Sequence, residues 1–99
     1  MTKVERVQRQ IDTMKDLYAT GPLPPVFFQW VDQSLTVLRA VCGEGANAVE
    51  SFLEAAGDDV HDPNAVMLPL HMEWGIHARM GRCRSVLEQA LAELQQAAV

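Results

Sequence analysis

The alternation of apolar residues in the last third of the chain constrains the fold more than any other feature. From residue 76 they recur in steps of four and three, a heptad pattern that places them along one seam of a helix: Ile76, Met80, Cys83, Leu87, Ala90, Leu94 and Ala97. We predict a helix over about 70–97, with Trp74 beside the seam and with Gly75 and Gly81 where another backbone approaches closely. Such a seam packs either against a second copy or against helices of the same chain, and we favour the latter.

Three further helices are predicted upstream of this one. Residues 3–19 carry a single apolar stripe, and Thr2 followed by Glu5 resembles a capping box at its start. Residues 25–42 are apolar over a wider arc, so this helix is expected to be buried on more than one side. The prediction is one all-α domain over 1–99, a four-helix bundle with helices at about 3–19, 25–42, 46–56 and 70–97.

The interior of this bundle follows from the same periodicity. The third helix is expected to turn Val49, Phe52, Leu53 and Ala56 inward and Glu50 and Glu54 outward. Residues 58–69 are predicted to be a loop whose apolar end packs back onto the core. Trp30 and Trp74 are both expected to be core residues, a commoner role than a ligand-binding wall. The predicted core includes Val7, Ile11, Trp30, Leu35, Leu38, Phe52, Met80, Leu87 and Leu94.

Charge is unevenly distributed along the chain. The net charge is −5, and residues 32–62 hold seven acidic side chains against Arg39 alone. An acidic surface repels phosphate backbones, so the charge pattern does not favour nucleic acid as a partner. Arg79, Arg82 and Arg84 are close in sequence, and we interpret them as a solvated helix face rather than as a phosphate-binding patch.

No motif in the sequence predicts a chemical reaction. The glycine motifs of phosphate-binding loops are absent, and no serine has the glycine elbow of a hydrolase. His71 and His77 have a spacing that places them on different helix faces, and Cys42 and Cys83 belong to no CxxC pair. We therefore predict no catalytic residue, no metal site and no cofactor. The sequence shows neither a leader nor an apolar run long enough for a bilayer, so we expect a cytoplasmic protein without membrane contact.

Several apolar and glycine positions form a pattern that is shared with a bacterial module. They are Phe28, Trp30, Leu35, Leu38, Gly43, Glu44, Phe52, Gly75, Val86, Leu87, Glu93 and Leu94. Across residues 26–95 the chain resembles the helical N-terminal module of bacterial nucleotide-binding, Toll/interleukin-receptor-like proteins and of proteins associated with anti-phage defence. Cys42 stands where that pattern has phenylalanine, and Gly45-Ala46 where it has an acid and serine. The resemblance implies no catalytic residue, because the effector chemistry of such proteins resides in a following domain.

These observations favour a non-enzymatic module that binds a protein partner or a second copy of itself. The candidate contact residues are Asp32, Glu44, Glu50, Glu54, Arg79, Arg82 and Arg84. The alternative is a small acidic inhibitor or regulator, for example a phage-encoded one, that presents carboxylates in place of phosphates to the basic surface of a nucleic-acid enzyme. A third interpretation, a ligand-binding bundle or an enzyme, requires an inward-facing polar cluster near Trp30, Trp74 and the histidines.

Overall fold

The predicted apolar stripes form helices in the computed structural model, which describes residues 2–20, 24–66 and 74–97. Helices account for most of these residues, and no strand occurs among them. The predicted all-α class is therefore confirmed. In chain order the helices are α1 (Lys3–Thr20), α2 (Pro24–Cys42), α3 (Asn47–Ala56), α4 (Pro63–Val66) and α5 (Ile76–Ala97).

The ends of the first three helices follow from local chemistry. The Glu5 amide donates a hydrogen bond to Thr2 Oγ1 at 3.1 Å, so the predicted N-terminal cap of α1 forms. α2 is followed by Gly43, with φ +100°, whose amide donates to the Arg39 carbonyl at 3.0 Å. Gly57 ends α3 with φ +91°. Residues with a side chain rarely adopt these positive φ values, which explains why both helices stop at glycine.

The helix α4 lies inside the segment that was predicted to be a loop. Asp62 acts as its N-cap, because Oδ1 accepts a hydrogen bond from the Asn64 amide at 2.9 Å. Pro63 suits the first helical position, where no amide donor is needed. The loop prediction is therefore wrong for this turn. Val66 is buried, as expected for the apolar end of the segment.

α5 begins later than the predicted start near residue 70. Trp74 and Gly75 form a turn before Ile76, and the Trp74 carbonyl accepts a hydrogen bond from the Arg79 side chain. The Arg79 amide donates to the Gly75 carbonyl at 3.0 Å, so the regular hydrogen-bond pattern of α5 starts at Gly75. Residues 67–73, which include the predicted first turn of this helix, lie outside the described residues.

Packing within the chain covers the heptad seam of α5. α5 packs against both α1 and α3, and α2 also packs against both α1 and α3. The seam is buried from Ile76 to Ala90, whereas Leu94 is half-buried and Ala97 is exposed. Intramolecular packing is therefore confirmed for the seam from Ile76 to Ala90, which leaves this part of it covered within the chain. Gly81 is exposed with open space around it, so the predicted close approach is also wrong there.

One continuous core joins the four longer helices. Every predicted core residue is buried except Leu94, which packs at the edge. Trp30 is 1% exposed, and its indole N–H donates to the Gln10 carbonyl at 2.9 Å. The buried hydroxyl of Ser34 donates to Gln10 Oε1 at 3.1 Å. These two hydrogen bonds fix the position of α1 against α2, because a slip would leave buried polar atoms unpaired.

Replacing Trp30 by alanine is expected to destabilise the domain by about 3–5 kcal/mol, because the change leaves a large cavity and removes the hydrogen bond to Gln10. Chemical denaturation followed by circular dichroism measures this loss. Val26→Ala is the control: Val26 is 41% exposed, so a change within about 0.5 kcal/mol is expected. Equal denaturation midpoints for the two variants would contradict the burial of Trp30.

Candidate functional site

Side chains from α5 close the C-terminal end of α3. The last turn of α3 has no basic residue of its own to satisfy the carbonyls that a helix end leaves unpaired. Arg79 Nη1 donates a hydrogen bond to the Ala56 carbonyl at 2.7 Å. Arg82 Nε donates to the Ala55 carbonyl at 3.3 Å. Two positive side chains therefore lie at the negative end of the α3 dipole, where they stabilise the helix.

Arg79 is the most unusual member of this cluster, because its side chain is fully buried. Besides the Ala56 carbonyl, Nη1 contacts Asp59 Oδ1 at 2.8 Å, and Nε donates to the Trp74 carbonyl. A buried guanidinium is stabilised when its N–H groups are paired and its charge is compensated; here Nε and Nη1 have acceptors, and Asp59 supplies the counter-charge. The prediction that Arg79 lies on a solvated helix face is therefore wrong, and its side chain is not accessible to a partner.

Asp59 compensates the charge of Arg79 from the surface. The side chain of Asp59 is 57% exposed, whereas that of Arg79 is 1% exposed. The hydrogen bond from Arg79 is the main reason that the pKa of Asp59 is lowered from its ordinary value, and slight desolvation acts in the opposite direction. One of the seven acids in the central segment is thus neutralised inside the chain rather than presented to a partner.

Trp74 lies at the surface beside this cluster. It is 41% exposed, so the predicted core position is wrong. The guanidinium carbons of Arg79 and Arg82 lie 5.1 and 4.3 Å from its ring centroid, within the range of a cation–π interaction. Its ring also lies against Gly57, where an added Cβ would be 3.0 Å from Trp74 Cζ3. The indole is therefore held in one orientation while much of it faces solvent.

A second exposed apolar residue lies on the same helix end. Leu53 is one turn before Gly57 on α3 and is also 41% exposed. Leu53 was predicted to face inward, but its neighbour Phe52 takes the core position and adjacent helical residues point in different directions. The outward orientation predicted for Glu50 and Glu54 is confirmed. We name this area the Trp74 surface, and it comprises Leu53, Gly57 and Trp74 with the exposed carboxylates on and directly after α3, those of Glu50, Glu54 and Asp58.

The other predicted contact residues occupy separate places. Asp32 on α2 accepts a hydrogen bond from His61 Nε2 at 2.8 Å. Glu44 lies in the turn between α2 and α3, at the opposite end of α3 from Trp74. Arg84 on α5 lies 3.1 Å from Glu88 in an exposed ion pair between neighbouring helical turns. The seven predicted residues therefore do not form one surface.

The described histidines are used in pairwise contacts. His61 binds Asp32, and His77 lies beside the Tyr18 ring with centroids 4.4 Å apart. His71 lies outside the described residues. Over residues 2–20, 24–66 and 74–97, no three His, Cys, Asp or Glu side chains come together as a metal site requires. These contacts give the histidines a local packing role.

Both cysteines are free thiols. Cys83 is buried on the α5 seam, and desolvation raises the pKa of its thiol to about 12. Burial also raises the pKa of Cys42. Because the thiolate is the reactive form, both side chains act as small core or core-edge groups at neutral pH. None of the described helices combines the length and the apolar character that a bilayer crossing requires.

Comparisons with known proteins add no family to this description. Neither a scan of protein-family models nor searches of curated proteins and of solved structures found a match to the chain. The resemblance to the helical module of bacterial defence proteins therefore stays a prediction that rests on the positions named above.

Replacing Gly57 by alanine is expected to lower the free energy of unfolding by about 1–3 kcal/mol. The new Cβ would lie 2.7 Å from Arg79 Nη1, and φ at this position is +91°. Gly45→Ala is the matched control, because nothing lies within 4 Å of its added Cβ. Thermal unfolding followed by circular dichroism compares the two variants. Equal melting temperatures would show that the end of α3 is not held against Arg79.

Replacing Asp59 by asparagine is expected to destabilise the domain at neutral pH, because it removes the charge that compensates Arg79. The folded-state pKa of Asp59 lies below its ordinary value of 3.8, so the carboxylate stabilises the fold above that value. This contribution is lost as the pH falls through the folded-state pKa. Urea denaturation over a pH series should show the difference between D59N and wild type shrinking below about pH 4.

The control for this series is Asp58→Asn, because Asp58 is exposed and forms no ion pair with a described residue. Its stability should follow that of the wild type at every pH. A D59N difference that stayed constant from neutral to acidic pH would contradict the role of the Asp59 charge.

Proposed function

We propose that this chain is a non-enzymatic module that binds another protein through the Trp74 surface. One observation carries the proposal: Trp74 is 41% exposed and yet is held by contacts with Arg79, Arg82 and Gly57. Exposed tryptophan is among the residues that contribute most to affinity when a protein interface buries them. Because the orientation of the ring is already fixed in the free protein, binding costs this side chain little conformational entropy.

The composition of the surface supports the same proposal. Trp74 is an exposed aromatic residue against the end of α3, Leu53 is an exposed apolar residue one turn earlier on that helix, and Glu50, Glu54 and Asp58 are exposed acids on and directly after it. An apolar centre with a polar rim is the usual anatomy of a protein interface. The other tryptophan, Trp30, is fully used by the core, so exposure of Trp74 is not a general property of aromatic residues in this chain.

The proposal also covers the helical scaffold, the cellular location and the biological role of the chain. We infer that the four longer helices form a four-helix bundle that carries the Trp74 surface, since α1, α2, α3 and α5 share one core. A cytoplasmic location is supported by the two free cysteines, which are typical of a reducing compartment. A link to bacterial anti-phage defence is supported by the apolar pattern of residues 26–95. At this level the partner is either a different protein or a second copy of the chain.

A second candidate function is an acidic inhibitor of a nucleic-acid enzyme. It is favoured by four exposed carboxylates that form no ion pair with any residue in the described part of the chain: Glu44, Glu50, Glu54 and Asp58. Such side chains can take the place of phosphates on a basic surface. This candidate requires that DNA compete with the chain for its partner and that salt weaken the complex steeply.

Replacing Trp74 by alanine is expected to weaken partner binding by roughly 30-fold or more, the effect of removing an interface hot spot. The partner is first captured with the wild-type chain and then purified and titrated against each variant by calorimetry. Val26→Ala is the matched control, because Val26 is also 41% exposed and lies in the first turn of α2, a helix that none of the Trp74 contacts described above involves. Its affinity should stay within about threefold of the wild type.

Leu53→Ser is a second variant that leaves the contacts of Arg79 intact. It separates loss of the apolar centre from disturbance of the arginine cluster, and circular dichroism confirms that each variant is folded. A partner that bound both Trp74→Ala and Leu53→Ser as tightly as the wild type would contradict the proposed surface.

A further inference from the structure

We infer that the segment bound by the Trp74 surface is basic and carries at least one large apolar side chain. The inference rests on the proposed function and specifies the chemistry of the partner. It follows from the charges that remain uncompensated at this surface, from the apolar groups that they surround and from the charge of the chain as a whole.

The carboxylates at this surface have no internal partner. Glu50 and Glu54 lie one turn apart on the outer face of α3, and Asp58 directly follows Gly57. None of the three forms an ion pair with a residue that the structure describes. Lysine and arginine side chains of a partner therefore gain an attraction here, and acidic side chains are repelled.

The positive charges nearby offset these carboxylates only in part. The charge of Arg79 is buried and is neutralised by Asp59. Arg82 carries one positive charge, with Nε on the neutral Ala55 carbonyl and its guanidinium carbon 4.3 Å from the Trp74 ring centroid, so it offsets at most one of the three carboxylates. The surface that a partner meets is therefore net negative around an apolar centre. A complementary segment places an apolar side chain on that centre and basic side chains around it.

A second copy of the chain is a poor fit to this description. Each copy carries a net charge of −5, so two copies repel one another at long range. The basic residues of α1 do not form a uniformly positive face, because three acids are interspersed with them: Glu5, Asp12 and Asp16. The partner is therefore a different protein, and its binding segment is basic and amphipathic.

Three synthetic peptides test this inference directly. The first is a helix-forming peptide with leucine on one face and lysine on the other, the second replaces every lysine by glutamate, and the third replaces every leucine by serine. Titration into the ¹⁵N-labelled chain is followed through the indole N–H signals, which separate exposed Trp74 from Trp30, bound to the Gln10 carbonyl. The leucine–lysine peptide is expected to shift the Trp74 signal at micromolar concentration, and the other two are expected to bind at least about tenfold more weakly.

Paired variants separate local charge from general acidity. The double variant Glu54→Gln and Asp58→Asn is expected to weaken the leucine–lysine peptide by about tenfold and to reduce the salt dependence of binding. The double variant Glu44→Gln and Glu93→Gln removes the same charge away from the Trp74 surface, and its affinity should remain close to that of the wild type. Equal losses for both double variants would overturn the inference, because attraction would then depend only on net charge.

Other outcomes distinguish this inference from the proposed function. Binding of the leucine–glutamate peptide at Trp74 as tightly as the leucine–lysine peptide would overturn the basic partner and leave the protein-binding surface standing. Peptide binding that is unchanged by both Trp74→Ala and Leu53→Ser would overturn both proposals. Light scattering that shows a concentration-dependent dimer, lost in Trp74→Ala, would overturn the basic partner and identify a second copy as the occupant.

Discussion

Burial of the Arg79 guanidinium away from water is the constraint on which the rest of the structure depends. Burial of a charged group is unfavourable unless each N–H finds an acceptor and the charge finds a counter-charge. The Ala56 carbonyl is available because α3 stops there, and the Trp74 carbonyl because α5 starts after it. The Asp59 carboxylate comes within reach because the chain turns at Gly57. A helix end, a helix start and a turn must therefore coincide for this residue to be stable.

The same constraint joins the stability of the chain to the surface that we propose as its binding site. The contacts that compensate Arg79 also bring its guanidinium and that of Arg82 to the Trp74 ring. Separation of α3 from α5 would release the indole as well as expose the charge. By contrast, the Gln10–Ser34 hydrogen bond between α1 and α2 is neutral and lies within the core, so it fixes helix position without shaping the surface.

Much of the fold could be predicted because it follows from periodicity and local backbone chemistry. Apolar spacing locates the α5 seam and the core residues, and glycines with positive φ end α2 and α3. The site could not be predicted in the same way. Periodicity predicts that an arginine faces solvent and that a tryptophan lies in the core. Arg79 is buried and Trp74 is exposed instead, because the Arg79 guanidinium contacts the Trp74 carbonyl and ring and also binds the end of α3. In the sequence, Gly57 followed by two aspartates indicates a helix end with nearby negative charge. Only the structure shows that Arg79 is the residue that binds there.

Not all the acidic side chains of residues 32–62 are free to attract a partner. Asp59 is bound by Arg79, Asp62 caps α4, and Asp32 is bound by His61, so these oxygens already have protein partners. The uncompensated carboxylates that remain lie mainly along α3 and directly after it. In the complex that we propose, the long-range attraction of a basic segment and the short-range apolar contact with Trp74 therefore involve the same end of α3. Charge at such a rim mainly raises the rate of encounter, whereas a fixed aromatic anchor mainly slows dissociation, so the two features contribute to affinity by independent routes.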